Sequence, residues 1–217
     1  CLNAEDGILK WELNIDSNSW IQTEPILLDL DNNSHLDFVV ANYNFDTAHR
    51  IFAYNAYDLS LLWETSLPND VMYHGASFAD IDNDQKPELA IGSYDGHLYV
   101  LNGEDGSLKF DFSLPNALYV GAPTSIADLN NDGFYEIVFV DNYTISAITH
   151  IGELLWSYEI PSYATAFRGA AISDINNDGI LDVIFGTSKG NVIALTGSNG
   201  DLIWNIDLAS HYGASFD

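Results

Sequence analysis

Asp128-Leu129-Asn130-Asn131-Asp132-Gly133-Phe134-Tyr135-Glu136 is an acidic nine-residue loop, and the chain repeats it. Asp174-Ile175-Asn176-Asn177-Asp178-Gly179-Ile180-Leu181-Asp182 begins 46 residues later. Asp80-Ile81-Asp82-Asn83-Asp84-Gln85-Lys86-Pro87-Glu88 begins 48 residues earlier, and Asp29-Leu30-Asp31-Asn32-Asn33-Ser34-His35-Leu36-Asp37 a further 51 before that. A second marker keeps step with the first. Trp11, Trp63, Phe110, Trp156 and Trp204 follow one another at 52, 47, 46 and 48 residues. Two independent markers on one period make the chain a tandem repeat, which is the first thing to settle about any sequence.

Each unit has the same internal order. A short small-residue stretch such as Gly121-Ala122-Pro123-Thr124-Ser125-Ile126-Ala127 comes before the acidic loop. A β-prone run such as Ile137-Val138-Phe139-Val140 comes after it. A third run, such as His97-Leu98-Tyr99-Val100-Leu101, leads into a Gly turn such as Glu104-Asp105-Gly106. An aromatic-centred strand, Leu108-Lys109-Phe110-Asp111-Phe112 or Leu202-Ile203-Trp204-Asn205-Ile206, closes the unit. Four short strands on a period of about 40 to 50 residues are one propeller blade. The fold expected is therefore all-β, a β-propeller of four-stranded antiparallel blades, with about four full blades and two partial ones.

The boundaries follow from the repeat. A partial blade covers 1–16, full blades cover about 20–66, 73–113, 119–160 and 167–208, and a partial blade covers 211–217. Leu2 to Trp11 aligns with Leu101 to Phe110, so the segment opens late in a blade. Both ends cut through a repeat, and the segment is expected to be part of a larger propeller. A five-bladed ring with one defective blade is the alternative.

Charge limits the partners. The 217 residues carry 32 acidic against six basic side chains, a net charge of −26. Nucleic acid and anionic membrane surfaces are polyanions, and the charge argues against both as partners. No apolar run approaches the roughly 18 to 20 residues of a membrane helix. The single cysteine, Cys1, rules out an intramolecular disulfide or a cysteine-built metal centre. At the first position it has the place of a lipid-modified residue. The six histidines are scattered without zinc-type spacing. No nucleophile elbow or phosphate loop occurs.

The acidic loops match calcium chemistry. Calcium takes about six to eight oxygen ligands in a flexible shell. Side-chain oxygens at loop positions 1, 3 and 5, a backbone carbonyl at 7 and a carboxylate at 9 can converge on one ion. The expected ligand sets are Asp29, Asp31, Asn33, His35 and Asp37; Asp80, Asp82, Asp84, Lys86 and Glu88; Asp128, Asn130, Asp132, Phe134 and Glu136; and Asp174, Asn176, Asp178, Ile180 and Asp182. In each set the fourth residue acts through its carbonyl. Position 2, Leu or Ile throughout, is expected to point into the blade core. An EF-hand would close at position 12 between helices, and these loops do not. The competing explanation is a set of Asx turns that cap hairpins. Fourfold recurrence of the whole pattern favours up to four Ca2+ sites, the 29–37 loop being the weakest because it has Asn33-Ser34 where loops three and four have Asp-Gly.

At these residues the sequence resembles the FG-GAP repeats of integrin α-subunit propellers and the VCBS-type repeats of bacterial surface proteins. Gly121-Ala122-Pro123 before a loop and Ile184-Phe185-Gly186 after one carry the likeness. The resemblance implies calcium in the loop joining the first two strands of a blade, extracellular exposure, and a role in adhesion or assembly. The stretch Leu195-Thr196-Gly197-Ser198-Asn199-Gly200-Asp201-Leu202-Ile203-Trp204 also resembles the Trp-containing repeats of quinoprotein-like propellers, where Gly and Trp serve blade packing.

The expected function is a non-enzymatic, calcium-binding propeller that binds protein or glycan at the cell surface. Its place is extracellular or on the cell surface, with a periplasmic or Cys1-lipidated form as variants. The alternatives are the propeller of a calcium-dependent polysaccharide-degrading enzyme and a quinoprotein-like subunit.

Overall fold

The computed structural model describes residues 1–15, 19–21, 23–44, 50–67, 74–208 and 210. The expected partial blade at 211–217, with His211, lies outside the described residues, as do Asp16 of the first partial blade and Tyr73 at the edge of the second full one.

Among the described residues the strands form four antiparallel sheets in chain order. The first holds β1 (Ser19–Ile21), β2 (Ile26–Leu28), β3 (Asp37–Asn44), β4 (Arg50–Asn55) and β5 (Leu61–Ser66). The second holds β6 (Ser77–Ala79), β7 (Glu88–Gly92), β8 (Leu98–Asn102) and β9 (Leu108–Phe112). The third holds β10 (Ser125–Ala127), β11 (Glu136–Asp141), β12 (Thr144–Ile148) and β13 (Leu154–Glu159). The fourth holds β14 (Ala171–Ser173), β15 (Asp182–Gly186), β16 (Asn191–Thr196) and β17 (Leu202–Asp207). The second, third and fourth sheets are meanders, and β2 to β5 of the first follow the same order, so each is one propeller blade.

The first sheet has five strands, not four. The reason is the length of β3, eight residues. Its start pairs with β2 along Asp37–Val39 and its end with β1 along Asn42–Asn44. Before β1, Leu2 and Leu9 form an isolated bridge, and Trp11, Leu13 and Ile15 pack on Phe38, Val40 and Phe52.

The cores lie between blades. Along β7, Leu89 and Ile91 pack against the first blade while Ala90 packs toward the third. Along β11, Ile137 and Phe139 meet the second blade while Val138 and Val140 meet the fourth. Successive strand residues face opposite sides, so a blade held between two neighbours must be apolar on both. This is why the second strands read as unbroken apolar runs. Each fully buried Leu, Ile or Phe contributes about 1.5–3 kcal/mol.

Every blade bulges at the same place between its third and fourth strands. Ala53 pairs with Trp63 but Tyr54 with Leu61. Val100 pairs with Phe110 but Leu101 with Leu108. The same step recurs at Ala147/Ile148 and Ala194/Leu195. Leu62, Lys109, Leu155 and Ile203 are the extra residues. A bulge re-aims the side chain it carries.

Candidate metal centre

The four acidic loops join β2 to β3, β6 to β7, β10 to β11 and β14 to β15, and share one backbone path. The position 1 carboxylate accepts from the N–H groups of positions 5 and 6. In the third loop Asp132 N–H reaches Asp128 Oδ1 at 3.2 Å and Gly133 N–H reaches Oδ2 at 3.1 Å. In the first, Asn33 and Ser34 reach Asp29 at 3.0 and 2.8 Å. Position 7 donates its N–H to the position 5 oxygen at 2.8 Å in all four loops, from His35, Lys86, Phe134 and Ile180. The side chains of Phe134 and Lys86 turn away from the loop centre, whereas His35 Nδ1 lies 3.2 Å from Asn33 Oδ1. Phe134 stacks on His150 at 4.1 Å, and Lys86 Nζ pairs with Glu104 at 2.7 Å. In those two loops the backbone is the part of position 7 left to a cation.

Positions 4 and 6 are left-handed in every loop. Position 6 has φ of 71° at Ser34, 72° at Gln85, 89° at Gly133 and 86° at Gly179. Glycine adopts this region without cost, whereas Ser34 and Gln85 are strained there. The loops that lack Gly therefore hold the same shape at some cost in stability.

Position 9 anchors the loop from below. Asp37, Glu88, Glu136 and Asp182 are all buried at 0–1% exposure. One oxygen of each accepts the N–H of position 2, at 2.9 Å from Leu30, 3.0 Å from Ile81, 2.8 Å from Leu129 and 3.0 Å from Ile175. The position 2 side chains Leu30, Ile81 and Leu129 sit in the cores between blades, not within a blade. Ile175, on the last described blade, is half-exposed.

A buried carboxylate needs a counter-charge or several donors. Burial pushes Glu136 up to about 7, and the nearby carboxylates Asp132 and Asp128 add to the rise. Burial also raises Asp37, with Asp31 and Asp29 adding to it. Asp182 Oδ1 is buried with no hydrogen-bond partner. Asp29, Asp31 and Asp37 each bring one oxygen within 4.8 Å of the others, as do Asp80, Asp82 and Glu88. These groups could hold a metal ion, and an orphaned buried oxygen beside further carboxylates fits a hard cation. In the third and fourth loops position 3 is Asn. Asn130 Nδ2 donates to Asp132 at 3.0 Å and to Glu136 at 3.3 Å, and Asn176 Nδ2 to Asp178 at 2.9 Å. In those two loops position 3 therefore offers an amide where loops one and two offer a carboxylate.

Two residues escape a reading by loop position. The first is Asn at position 4. Asn32 Nδ2 donates to the carbonyl of Gln85 at 3.2 Å, Asn83 to that of Gly133 at 2.7 Å, and Asn131 to that of Gly179 at 3.0 Å. Each loop thus grips position 6 of the next blade's loop. The signal was present, since position 4 is Asn in all four loops. The second is Lys109. Its Nζ lies 2.6 Å from Asp82 and 2.9 Å from Glu88. At Glu88 burial still outweighs the ammonium and the carboxyl is raised. At Asp82 burial is outweighed by Lys109 and the carboxyl is lowered.

The Trp and Gly repeat markers also meet across blades. Trp63 Nε1 donates to Gly103 O and Trp156 Nε1 to Gly197 O. A family profile described as outer membrane protein assembly factor BamB matches residues 84–216. The chain belongs to that family. The BamB match covers most of the second to fourth blades, where the Trp–Gly contacts to Gly103 and Gly197 lie. A second profile, described as FG-GAP-like repeat, matches residues 29–91, which hold the first two acidic loops, and the chain is an FG-GAP repeat propeller. A comparison with curated proteins found no match.

Solved structures agree on the fold. Sqt1 from Saccharomyces cerevisiae is similar with a TM-score of 0.70 and 13% identity, over 94% of this chain and 54% of Sqt1. BamB from Moraxella catarrhalis is similar with a TM-score of 0.56 and 11% identity, over 93% of this chain and 64% of BamB. The V. cholerae biofilm matrix protein Bap1 is similar with a TM-score of 0.50 and 17% identity, over 91% of this chain and 41% of Bap1. The chain spans less than two thirds of the length of each. Among the described residues no helix is long and apolar enough to cross a membrane.

Proposed function

We propose that the chain is a non-enzymatic propeller that binds calcium in its acidic loops, for rigidity, and offers its surface to protein or glycan partners outside the cytoplasm. The observation that carries this reading is the set of four buried position 9 carboxylates, Asp37, Glu88, Glu136 and Asp182, each at the base of a loop lined by further acids. Calcium there would be held by positions 1, 3 and 5, the carbonyl of 7 and the carboxylate of 9. It would supply positive charge, not chemistry. Because Asn32, Asn83 and Asn131 tie each loop to the next, a cation that stiffens one loop also stiffens the joint between blades.

The partner class rests on charge and on relatives. A net charge of −26 favours neutral or basic protein surfaces and neutral glycans over polyanions. The family is described as an assembly factor, and the structural relative Bap1 is a biofilm matrix protein.

Scanning calorimetry tests the metal reading. Calcium should raise the melting temperature by several degrees over EDTA, and magnesium should raise it far less. Equal melting temperatures in all three conditions would sink it. Calcium-dependent release of unsaturated or reducing sugars from polysaccharides would overturn the non-enzymatic part.

A further inference from the structure

The four loops differ in one respect that loop sequence does not show. In the second blade the bulge between β8 and β9 presents Lys109, and its ammonium sits 2.6 Å from Asp82 Oδ2 and 2.9 Å from Glu88 Oε1. These are positions 3 and 9 of the loop, two of the oxygens a metal ion would need. The remaining Glu88 oxygen accepts Ile81 N–H at 3.0 Å. The bulge residue is Leu62 in the first blade, Leu155 in the third and Ile203 in the fourth. Leu62 and Leu155 pack against the cores between blades. One blade in four therefore carries a cation of its own at a position where the others carry a hydrocarbon.

We propose that Lys109 is the built-in counter-ion of the second loop and excludes a divalent cation from it, so that calcium enters the other loops while the loop richest in carboxylates takes none. The proposal rests on the calcium reading for the sister loops. Its physical basis is charge and space. An ammonium that donates to two ligand oxygens occupies lone pairs the ion requires, and a doubly charged ion beside it would meet like charge. The Lys109 side chain is 21% exposed, and Asp82 and Glu88 are 26% and 1% exposed, so water screens the contact only in part. The bulge fixes the direction of the side chain. The second blade would then keep its shape without metal, and the sequence order of these two loops would be reversed: the first loop, whose Asp31 and Asp37 meet the neutral amides of Asn33 and Asn55 and not an ammonium, would outrank the second.

The test counts bound ions by calorimetric titration of the whole chain with calcium. Lys109→Leu, which copies the first and third blades, should bind one equivalent more than the wild type. Leu155→Lys, which moves the ammonium to the third blade, should bind one fewer. Without metal, Lys109→Leu should melt below the wild type, and calcium should recover the loss. Lys109→Met keeps the length of the side chain and serves if the Leu variant does not fold. Unchanged stoichiometry in both Lys109 variants overturns the proposal. A wild type that binds no calcium would instead sink the calcium reading, and a gain of one equivalent in Lys109→Leu would still support the role of Lys109.

Discussion

The indole N–H of Trp63, in the last strand of one blade, donates to the carbonyl of Gly103 in the next at 2.8 Å. The bond crosses a blade boundary in a buried place, and Trp156 with Gly197 repeats it. Between the second and third blades the aromatic is Phe110, which has no N–H to give. There the turn after β12 is one residue shorter, and His150 stands where the sister blades have Gly103 and Gly197. Trp63→Phe should leave the Gly103 carbonyl without its indole donor and cost about 1–2 kcal/mol. Urea denaturation should show a lower midpoint with an unchanged slope, because the surface exposed on unfolding is the same.

The turn glycines lie against the same aromatics. Gly200 has φ of +73°, and a Cβ there would come 2.8 Å from the Trp156 ring. Gly106 has φ of +69° and would place its Cβ against the Trp63 ring. Gly200→Ala therefore meets both a left-handed backbone and an aromatic that cannot retreat from a packed joint. We expect a loss of about 2 kcal/mol or more, read as a fall in denaturation midpoint.

Asn83 separates the loop link from backbone strain. It sits at φ of 64° and donates to the Gly133 carbonyl at 2.7 Å. Asn83→Gly relieves the backbone and loses the bond, whereas Asn83→Ala loses both. The alanine variant should be the less stable by about 1 kcal/mol. Both should weaken calcium's effect on the melting temperature, if the loops stiffen one another.

The blades were legible in the sequence because two markers with different causes share a period. Asp and Asn recur where the backbone coils, and Trp or Phe recurs where blades pack. The apolar runs on second strands followed from burial on both faces. Other features depended on tertiary placement. Leu30, Ile81 and Leu129 serve the joint between blades, which period and polarity alone do not distinguish from a blade's own core. The extra strand of the first sheet comes from the length of β3. The place of Lys109 depends on a bulge, and bulges leave no mark in hydrophobic alternation. Composition speaks only for a loop's own residues, but the counter-charge for the second loop arrives from a strand more than 20 residues away.

Asp182 offers a test in which removing a charge helps one state and harms another. Its Oδ1 is buried and unpartnered, and its Oδ2 accepts Ile175 N–H at 3.0 Å. Asp182→Asn can keep the Ile175 bond while deleting the charge. In EDTA the variant should melt no lower than the wild type. With calcium it should bind one equivalent fewer and show a smaller rise in melting temperature.

The pH dependence of the metal-free chain follows from Glu136. Burial, with Asp132 and Asp128 nearby, raises its carboxyl from 4.5 to about 7 in the folded state. Between those values the folded chain binds more protons than the unfolded one, so stability falls as pH rises through that window. Above it the full penalty of the buried charge is present, about 3 kcal/mol. Burial raises Asp37 and Glu88 in the same direction. Urea denaturation in EDTA should therefore give a higher midpoint at pH 5 than at pH 8. Glu136→Gln should flatten much of that slope, since glutamine has no charge to bury. Calcium should flatten it too, by giving the carboxylate its counter-charge. A wild-type midpoint that rises from pH 5 to pH 8 in EDTA would contradict the burial of a charged Glu136.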